Sequence, residues 1–277
     1  MRKLLIVGTA CIVALGSMTA APGSPRPGTK VKALAPDLVP LPPEQINGPT
    51  TEVVVPLGVD APLIVDGCFL DERIRKGAQR CLRFDGIVGN QGAGPLELAY
   101  TLDSTRRMVV AQQRIFNSDG TYKDRFATST EYHPTHLHFH VQDFYIASLW
   151  RSSAEGERAG LPVAHGDKSG FCPEDSAPID TEDKDASRYY SCFTEDERGV
   201  GPNQVVGISA GWKDIYRWEL PDQFVEITGI PDGFYVLEIE LDPNNVFVEA
   251  NERNNKMCVV LELAGSDATL LDPQPRC

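Results

Sequence analysis

Several common features are missing from this sequence. After the first twenty residues no apolar run is long enough for a membrane-spanning helix. No C-x-x-C pair is present, so a zinc knuckle or a thioredoxin-like site has no support. No stretch keeps an apolar period of 3.6 residues, so helices should be few and short. Basic residues are outnumbered, 26 against 39 acidic ones, which gives a net charge of -13. Such a surface repels nucleic acid and attracts cations, including amines.

The N-terminus has the layout of a secretory signal peptide. Arg2 and Lys3 precede an apolar run over residues 4–15, and small residues then favour cleavage after Ala20. A lipoprotein signal cleaved before Cys11 is the alternative. We therefore expect residues 1–20 to be a signal peptide and the protein to be secreted or extracytoplasmic, without a membrane span.

Two further segments differ in composition. Residues 21–50 are rich in proline, which is typical of a linker that leads into a folded domain. Over residues 51–277, short apolar runs are separated by Gly, Asp and Pro, and some alternate in and out, as in residues 235–241. This pattern predicts one mainly β domain, an antiparallel β-sandwich with few short helices and long loops, one of them over residues 173–200.

Six cysteines follow Cys11, and an even number in an exported chain favours disulfides. Buried free thiols are the alternative. Among about fifteen pairings, the local one is favoured because each bond then closes a short loop. The predicted bonds are Cys68–Cys81, Cys172–Cys192 and Cys258–Cys277.

Four of the five histidines lie between positions 133 and 140. Side chains two residues apart on a strand share one face, so His136, His138 and His140 should meet one ion while Phe139 points into a core. Three imidazoles without a thiolate suit copper, zinc, iron or nickel. A site with three protein ligands also keeps one position open for chemistry. His133 has an odd offset, so support of a ligand from outside or a place at the surface is expected at least as much as binding to the ion.

The histidine pattern His133-x-x-His136-x-His138-x-His140-x-x-Asp143 resembles the copper-binding segment of the lysyl oxidases. Other segments resemble the same family in the same order, so that the resemblance covers about residues 35–265. These segments are residues 36–39, 81–84, 90–92, 165–175, 211–216, 231–237 and 249–255.

The resemblance implies a copper-dependent amine oxidase. Such an enzyme converts a primary amine, from a small molecule or a lysine-containing protein, to an aldehyde with release of ammonia and hydrogen peroxide. Copper, the first choice of metal, would bind the three histidines, and Lys168 and Tyr216 would form the cofactor lysine tyrosylquinone. Asp214 is the candidate general base because it precedes Tyr216 by two residues. A turn-capping role is its alternative.

A calcium site is a second implication of the resemblance. The positions that match calcium ligands of some family members are Asp37, Leu38 through its carbonyl, Glu249, Asn254 and Asn255. Oxygen ligands of this kind suit calcium. Ordinary hairpin-loop chemistry is the alternative for residues 249–255.

Some features depart from the family pattern and keep other functions open. The animal enzymes carry another histidine soon after the metal segment, whereas residues 144–148 here contain none, and the insert between Lys168 and Tyr216 is longer. A second hypothesis is therefore a non-catalytic exported copper-binding or adhesive sandwich. A third is a zinc or iron enzyme on a cupin-like barrel, but no histidine follows His165 to complete such a site.

Overall fold

The structure is a computed structural model. It describes residues 30–47, 53–54, 63–65, 68–69, 80–105, 107–133, 138–166, 170–180, 188–189, 192, 204–220, 222–271 and 277. Every regular element within these ranges is a β-strand, and none is a helix. The strands are β1 (Ala33–Leu34), β2 (Leu38–Leu41), β3 (Ile46–Asn47), β4 (Val53–Val54), β5 (Leu63–Val65), β6 (Cys68–Phe69), β7 (Cys81–Phe84), β8 (Gly86–Asn90), β9 (Leu96–Asp103), β10 (Met108–Asn117), β11 (Tyr122–His133), β12 (His138–Val141), β13 (Tyr145–Ser152), β14 (Arg158–His165), β15 (Ala177–Pro178), β16 (Val205–Ile208), β17 (Trp212–Tyr216), β18 (Phe224–Glu226), β19 (Gly233–Leu241), β20 (Lys256–Ala264) and β21 (Asp267–Leu271).

The strands form several antiparallel sheets. The largest has six strands in the order β12-β11-β10-β9-β16, with β1 also paired to β10. A second sheet has the order β14-β13-β19-β20-β21, and a third has the order β15-β17-β8-β2. Two smaller sheets are β18-β7-β3 and β4-β5-β6. The mainly β, antiparallel fold predicted from the sequence is therefore confirmed, although the described residues contain none of the few short helices expected.

One hydrophobic core is shared by the three largest sheets. Leu98 lies on the six-stranded sheet, Leu149 and Leu237 on the five-stranded sheet, and Val88 on the four-stranded sheet, all with no exposed surface. Burial of one such side chain contributes about 1.5–3 kcal/mol to folding. Side chains from all three sheets therefore contribute to one interior, and this packing stabilises the strands that carry the candidate site.

The end of the proline-rich segment belongs to the folded body. Strand β2 pairs with β8, and Leu38 and Val39 are only 1% and 7% exposed. Pro40 is accommodated because β2 is the edge strand of its sheet, where a missing N–H need not break the ladder. The linker prediction therefore does not extend over residues 33–47. The predicted signal peptide lies outside the described residues, and the domain boundary at residue 51 stays a prediction.

The predicted disulfide pairing is confirmed. The bonds Cys68–Cys81, Cys172–Cys192 and Cys258–Cys277 are all present. The loop predicted over residues 173–200 is described only in part, and there it contains the short strand β15. No helix within the described ranges has the length and apolar character needed to cross a membrane.

Candidate metal centre and tyrosine site

Strand β12 brings two of the predicted ligands together. The Nε2 atoms of His138 and His140 are 3.0 Å apart, and each side chain is 5% exposed. Two nitrogens that each lie about 2.0–2.1 Å from one ion are about 3 Å apart when the angle at the ion is near 90–100°. The pair therefore fits one transition metal ion. His136 and the side chain of His133 lie outside the described residues.

The opposite face of this hairpin is apolar, as strand alternation predicts. Phe139 lies directly across from Tyr132 in the β11–β12 register. Their rings meet edge to face at 5.3 Å, and Phe139 packs against the main core. The histidine face and the core-packing face are thus separated by the pleat of one short strand.

A backbone bridge joins the histidine strand to the segment that follows Lys168. The amide of Val141 donates to the carbonyl of Phe171 at 2.7 Å, and the amide of Phe171 donates back to Val141 at 3.1 Å. Gly170 packs against His140 so closely that an added Cβ would lie 3.0 Å from the His140 Cβ. Gly170 thus lets the two chains approach without displacing the imidazole. Lys168 itself lies outside the described residues.

The same segment holds the candidate cofactor tyrosine. Tyr216 ends strand β17, and its hydroxyl donates to the Cys172 carbonyl and accepts from the Cys172 amide, both at 2.9 Å. Its ring meets Phe171 at 4.3 Å between centroids. Burial, and next the negative charge of Asp214, raise the pKa of Tyr216 well above its usual value. Tyr216 is therefore a neutral, fixed phenol at physiological pH.

Asp214 lies inside strand β17, so a turn that it caps would have to belong to another segment. Its side chain is 1% exposed and shares a face with Tyr216, two residues later. The carboxylate accepts hydrogen bonds from the Ser176 hydroxyl at 3.2 Å and the Glu174 amide at 3.4 Å. Asp214 therefore braces the chain just beyond Cys172.

Sequence reasoning missed a second buried carboxylate, Asp175. It accepts hydrogen bonds from the amides of Arg188, Tyr189 and Ser209 and from the Ser209 hydroxyl, at 2.7–3.1 Å. These contacts attach residues 188–189, and also Ser209 at the start of the β16–β17 connection, to the segment that contains Cys172. No residue pattern marks an aspartate that binds segments this distant, so only the fold reveals it.

Sequence reasoning rejected a serine hydrolase because it found no G-x-S-x-G pattern, and that ground was wrong, since residues 207–211 form this pattern. The hydrolase motif places its serine on a sharp turn between a strand and a helix. Here residues 209–211 connect two strands, β16 and β17, and the Ser209 hydroxyl donates to Asp175. This serine therefore stabilises the β16–β17 connection and does not have the position of a hydrolase nucleophile.

The predicted calcium ligands are also close together. The Glu249 carboxylate accepts hydrogen bonds from the Leu38 amide at 2.5 Å and the Asn255 side-chain amide at 3.0 Å. The side-chain amide of Asn254 donates to Asp37 at 2.8 Å. The hairpin over residues 249–255 is thereby attached to the start of β2.

Two oxygen atoms of this cluster lack a hydrogen-bond donor. The Oδ1 atoms of Asn254 and Asn255 are buried and accept no hydrogen bond from any described residue. Burial raises the pKa of Glu249 from 4.5 to about 8. Buried oxygen atoms without donors fit a hard cation such as calcium better than they fit ordinary turn chemistry.

Comparison with known proteins identifies the family of the chain. The lysyl oxidase family model matches residues 80–272, which is more than half of the chain. The chain belongs to the lysyl oxidase family. It is 31% identical over 126 residues to lysyl oxidase homolog 3B of Danio rerio, and 29% identical over 126 and 125 residues to human lysyl oxidase homologs 3 and 1. These alignments cover 45–46% of this chain but only 14–19% of the relatives, so the chain spans a small part of their length.

Proposed function

We propose that this lysyl oxidase family protein is an exported copper-dependent amine oxidase that converts primary amines to aldehydes, with release of ammonia and hydrogen peroxide. His136, His138 and His140 would bind copper, and Lys168 and Tyr216 would form lysine tyrosylquinone. Small amines and lysine-containing proteins are the proposed substrates. The three disulfides are consistent with export.

One observation carries the proposal. The Val141–Phe171 bridge joins the strand of His138 and His140 to the segment whose next residue, Cys172, holds the Tyr216 hydroxyl. The candidate metal site and the candidate cofactor tyrosine are thus connected through two neighbouring backbone contacts. Copper and the quinone would supply the electron-accepting chemistry that ordinary side chains lack.

The chain's own residues would orient the cofactor ring and accept or donate protons. The Cys172 backbone fixes the Tyr216 ring, and Phe171 shields one side of it from water. Asp214 shares the strand face of Tyr216, so its carboxylate oxygens are the proposed acceptors of the proton removed from the substrate carbon. Its burial at 1% exposure excludes bulk water from that base.

A cross-link experiment tests this function. The full chain would be expressed with copper and oxygen, digested and analysed by mass spectrometry for a peptide that joins Lys168 to Tyr216. Detection in the wild type, and its loss in Lys168→Arg, supports the oxidase. Two separate, unmodified peptides from copper-loaded protein would contradict it.

The non-catalytic copper-binding alternative is favoured by one observation. Phe144 and Tyr145, in the stretch where the animal enzymes carry their additional histidine, are 1% and 2% exposed and pack on Phe171. This position is filled by core aromatics and offers no second acid or base. Copper binding without a cross-link in the same experiment would select this alternative.

We further propose that calcium binds the oxygen atoms of Asp37, Leu38, Glu249, Asn254 and Asn255. The unpaired Oδ1 atoms of the two asparagines support this site. Such an ion would stabilise the attachment of the 249–255 hairpin to β2. Thermal melting with calcium, magnesium or chelator tests it, because an ion that binds the folded state raises the melting temperature with the logarithm of its concentration relative to Kd.

A further inference from the structure

A buried carboxylate on the six-stranded sheet binds the long insert that precedes β17. Glu97 of β9 is 1% exposed. Its Oε2 atom accepts hydrogen bonds from the Tyr189 hydroxyl at 2.6 Å and from the Arg188 guanidinium at 2.9 Å. Its Oε1 atom accepts from Arg114, the register partner of Glu97 on β10, at 2.9 Å. Both oxygens of this carboxylate are therefore bound, and two of the three donors belong to the insert.

The ring of Tyr189 lies against a strand that leaves room for it. Gly207 of β16 is the register partner of Glu97, and an added Cβ there would lie 3.2 Å from the Tyr189 ring. Burial, and next the hydrogen bond to Glu97, raise the pKa of Tyr189 far above its usual value, so its hydroxyl is a neutral donor at physiological pH. The amide of Gly207 also donates to the Pro173 carbonyl at 3.0 Å. The strand beneath the ring thus holds the residue next to Cys172.

Residues 188–189 are attached in turn to the segment of the candidate cofactor tyrosine. Asp175 Oδ2 accepts hydrogen bonds from the amides of both residues, and the amide of Asp175 donates back to the carbonyl of the tyrosine of this pair at 2.5 Å. Asp175 lies three residues after Cys172, whose backbone binds the Tyr216 hydroxyl. A continuous series of contacts therefore runs from Glu97 to Tyr216.

The position of residues 188–189 depends on these side-chain contacts. The pair belongs to no strand, so no ladder of backbone hydrogen bonds keeps it in place. Glu97, by contrast, lies on β9, which is paired with β10 on one side and with β16 on the other. A strand inside a sheet is a rigid reference, and the insert takes its position from that reference through the Glu97 carboxylate.

We propose that Glu97 and Tyr189 are positioning residues for Tyr216. Together with Arg188 they fix the insert on the six-stranded sheet, and the insert fixes Asp175 and with it the segment that binds the phenol. This inference rests on the proposed amine oxidase function, in which Tyr216 forms the cofactor. Neither positioning residue touches the reacting atoms, so their loss should change the position of the phenol and the rate of cross-linking, and not the affinity for copper.

The first measurement follows the phenol itself in the metal-free full chain. An isotope label at the hydroxyl-bearing ring carbon of tyrosine gives one NMR signal for each tyrosine, and Tyr216→Phe identifies the signal of Tyr216. Tyr189→Phe removes one hydroxyl and leaves both ion pairs of Glu97, and it should shift or broaden this signal. Arg188→Gln, a change at a largely exposed side chain, should do so to a smaller extent.

Tyr235→Phe is the matched control. Tyr235 is 1% exposed, and its hydroxyl also donates one hydrogen bond at 2.6 Å, but to the Pro231 carbonyl and not to the insert. The control should leave the Tyr216 signal unchanged. All variants are compared at a temperature at which each is fully folded, so that a loss of stability alone does not move the signal.

The second measurement is the rate at which the Lys168–Tyr216 cross-link forms in the full chain with copper and oxygen. Tyr189→Phe should lower this rate by about two- to tenfold, the factor that corresponds to one ordinary hydrogen bond. Copper affinity, measured by calorimetric titration, should stay at the wild-type value. Tyr235→Phe should change neither quantity.

An unchanged Tyr216 signal in Tyr189→Phe, or an equal change in Tyr235→Phe, would overturn the positioning role. A loss of copper affinity in Tyr189→Phe would overturn it too, since the variant would then disturb the metal site. An unchanged rate of cross-linking in Tyr189→Phe would also contradict it. If the Tyr216 signal responds as expected but the wild type forms no cross-link, the positioning role stands and the oxidase proposal fails.

Discussion

The hydroxyl of Tyr216 is held twice by one residue, since it donates to the carbonyl of Cys172 and accepts from the amide of Cys172, each at 2.9 Å. Cys172 is itself fixed by its disulfide to Cys192 and follows the Val141–Phe171 bridge. The position of the phenol is therefore set by backbone atoms, which cannot change rotamer. This arrangement orders the tyrosine ring through contacts with the backbone of the chain itself.

The first prediction concerns Tyr216→Phe. This change leaves the buried amide and carbonyl of Cys172 without the phenol, so the metal-free protein should lose about 1–3 kcal/mol of unfolding free energy. The cross-link to Lys168 should also disappear. Urea denaturation and peptide mass spectrometry measure the two effects.

Tyr145→Phe is the matched control. The Tyr145 hydroxyl is buried and has no hydrogen-bond partner among the described residues, so its removal should cost little or even stabilise the protein. Equal destabilisation by the two changes would show that the Cys172 contacts contribute nothing specific.

The second prediction concerns the histidine pair. His138→Ala and His140→Ala should each weaken copper binding by more than roughly 100-fold, since loss of a group that only supports a ligand already costs 10- to 100-fold. His165→Ala is the control because its exposed ring bonds Ser148, outside the cluster. Calorimetric copper titration measures the affinities. Unchanged affinity in His138→Ala, or a loss equal to it in His165→Ala, would place the metal elsewhere.

The third prediction concerns Asp175. Asp175→Ala removes the acceptor of four hydrogen bonds in an 8% exposed site, so it should cost about 3–5 kcal/mol of unfolding free energy. Because Asp175 lies three residues after Cys172, the yield of the Lys168–Tyr216 cross-link should fall as well.

Asp180→Ala, an exposed change nearby, should alter stability by less than about 0.5 kcal/mol. A small effect of Asp175→Ala, equal to that of Asp180→Ala, would mean that the insert is held by the disulfide alone.

The sequence predicted the features that depend on local pattern. Strand alternation placed His138 and His140 on one face and Phe139 on the other, and short loop lengths identified the three disulfides. The ordered motifs identified the lysyl oxidase family, which the family match confirms. These features depend on neighbouring residues or on residue order, and both can be read from the chain.

Features that depend on contacts between distant segments could not be predicted. Backbone atoms form the Val141–Phe171 bridge, and backbone atoms of Cys172 form the hydrogen bonds to Tyr216. Every residue has such atoms, so no residue type in the sequence predicts these contacts. Asp175 carries a common side chain, and its role follows only from the segments that the fold places beside it. The sequence also did not predict that Leu38 lies in the core. The segment around it is rich in proline, which is typical of a linker, but an edge strand such as β2 also tolerates proline.

The last prediction concerns pH and calcium. Burial raises the pKa of Glu249 from 4.5 to about 8, so the folded state keeps a proton that the unfolded state releases between these values. The stability of the chelated protein should therefore be greatest below pH 4.5, as far as Glu249 contributes, and should fall by on the order of 5 kcal/mol as the pH rises from 4.5 through 8. Glu249→Gln should remove this loss, and Glu262→Gln should retain it. Calcium competes with the proton for the same carboxylate, so at pH 8 it should restore stability to the wild type and not to Glu249→Gln. Melting temperatures at pH 4.5, 6 and 8, with chelator or with calcium, measure both effects. A pH slope that is the same in wild type and Glu249→Gln would show that burial does not keep Glu249 protonated, and equal stabilisation of the two proteins by calcium would show that the oxygen cluster does not hold the ion.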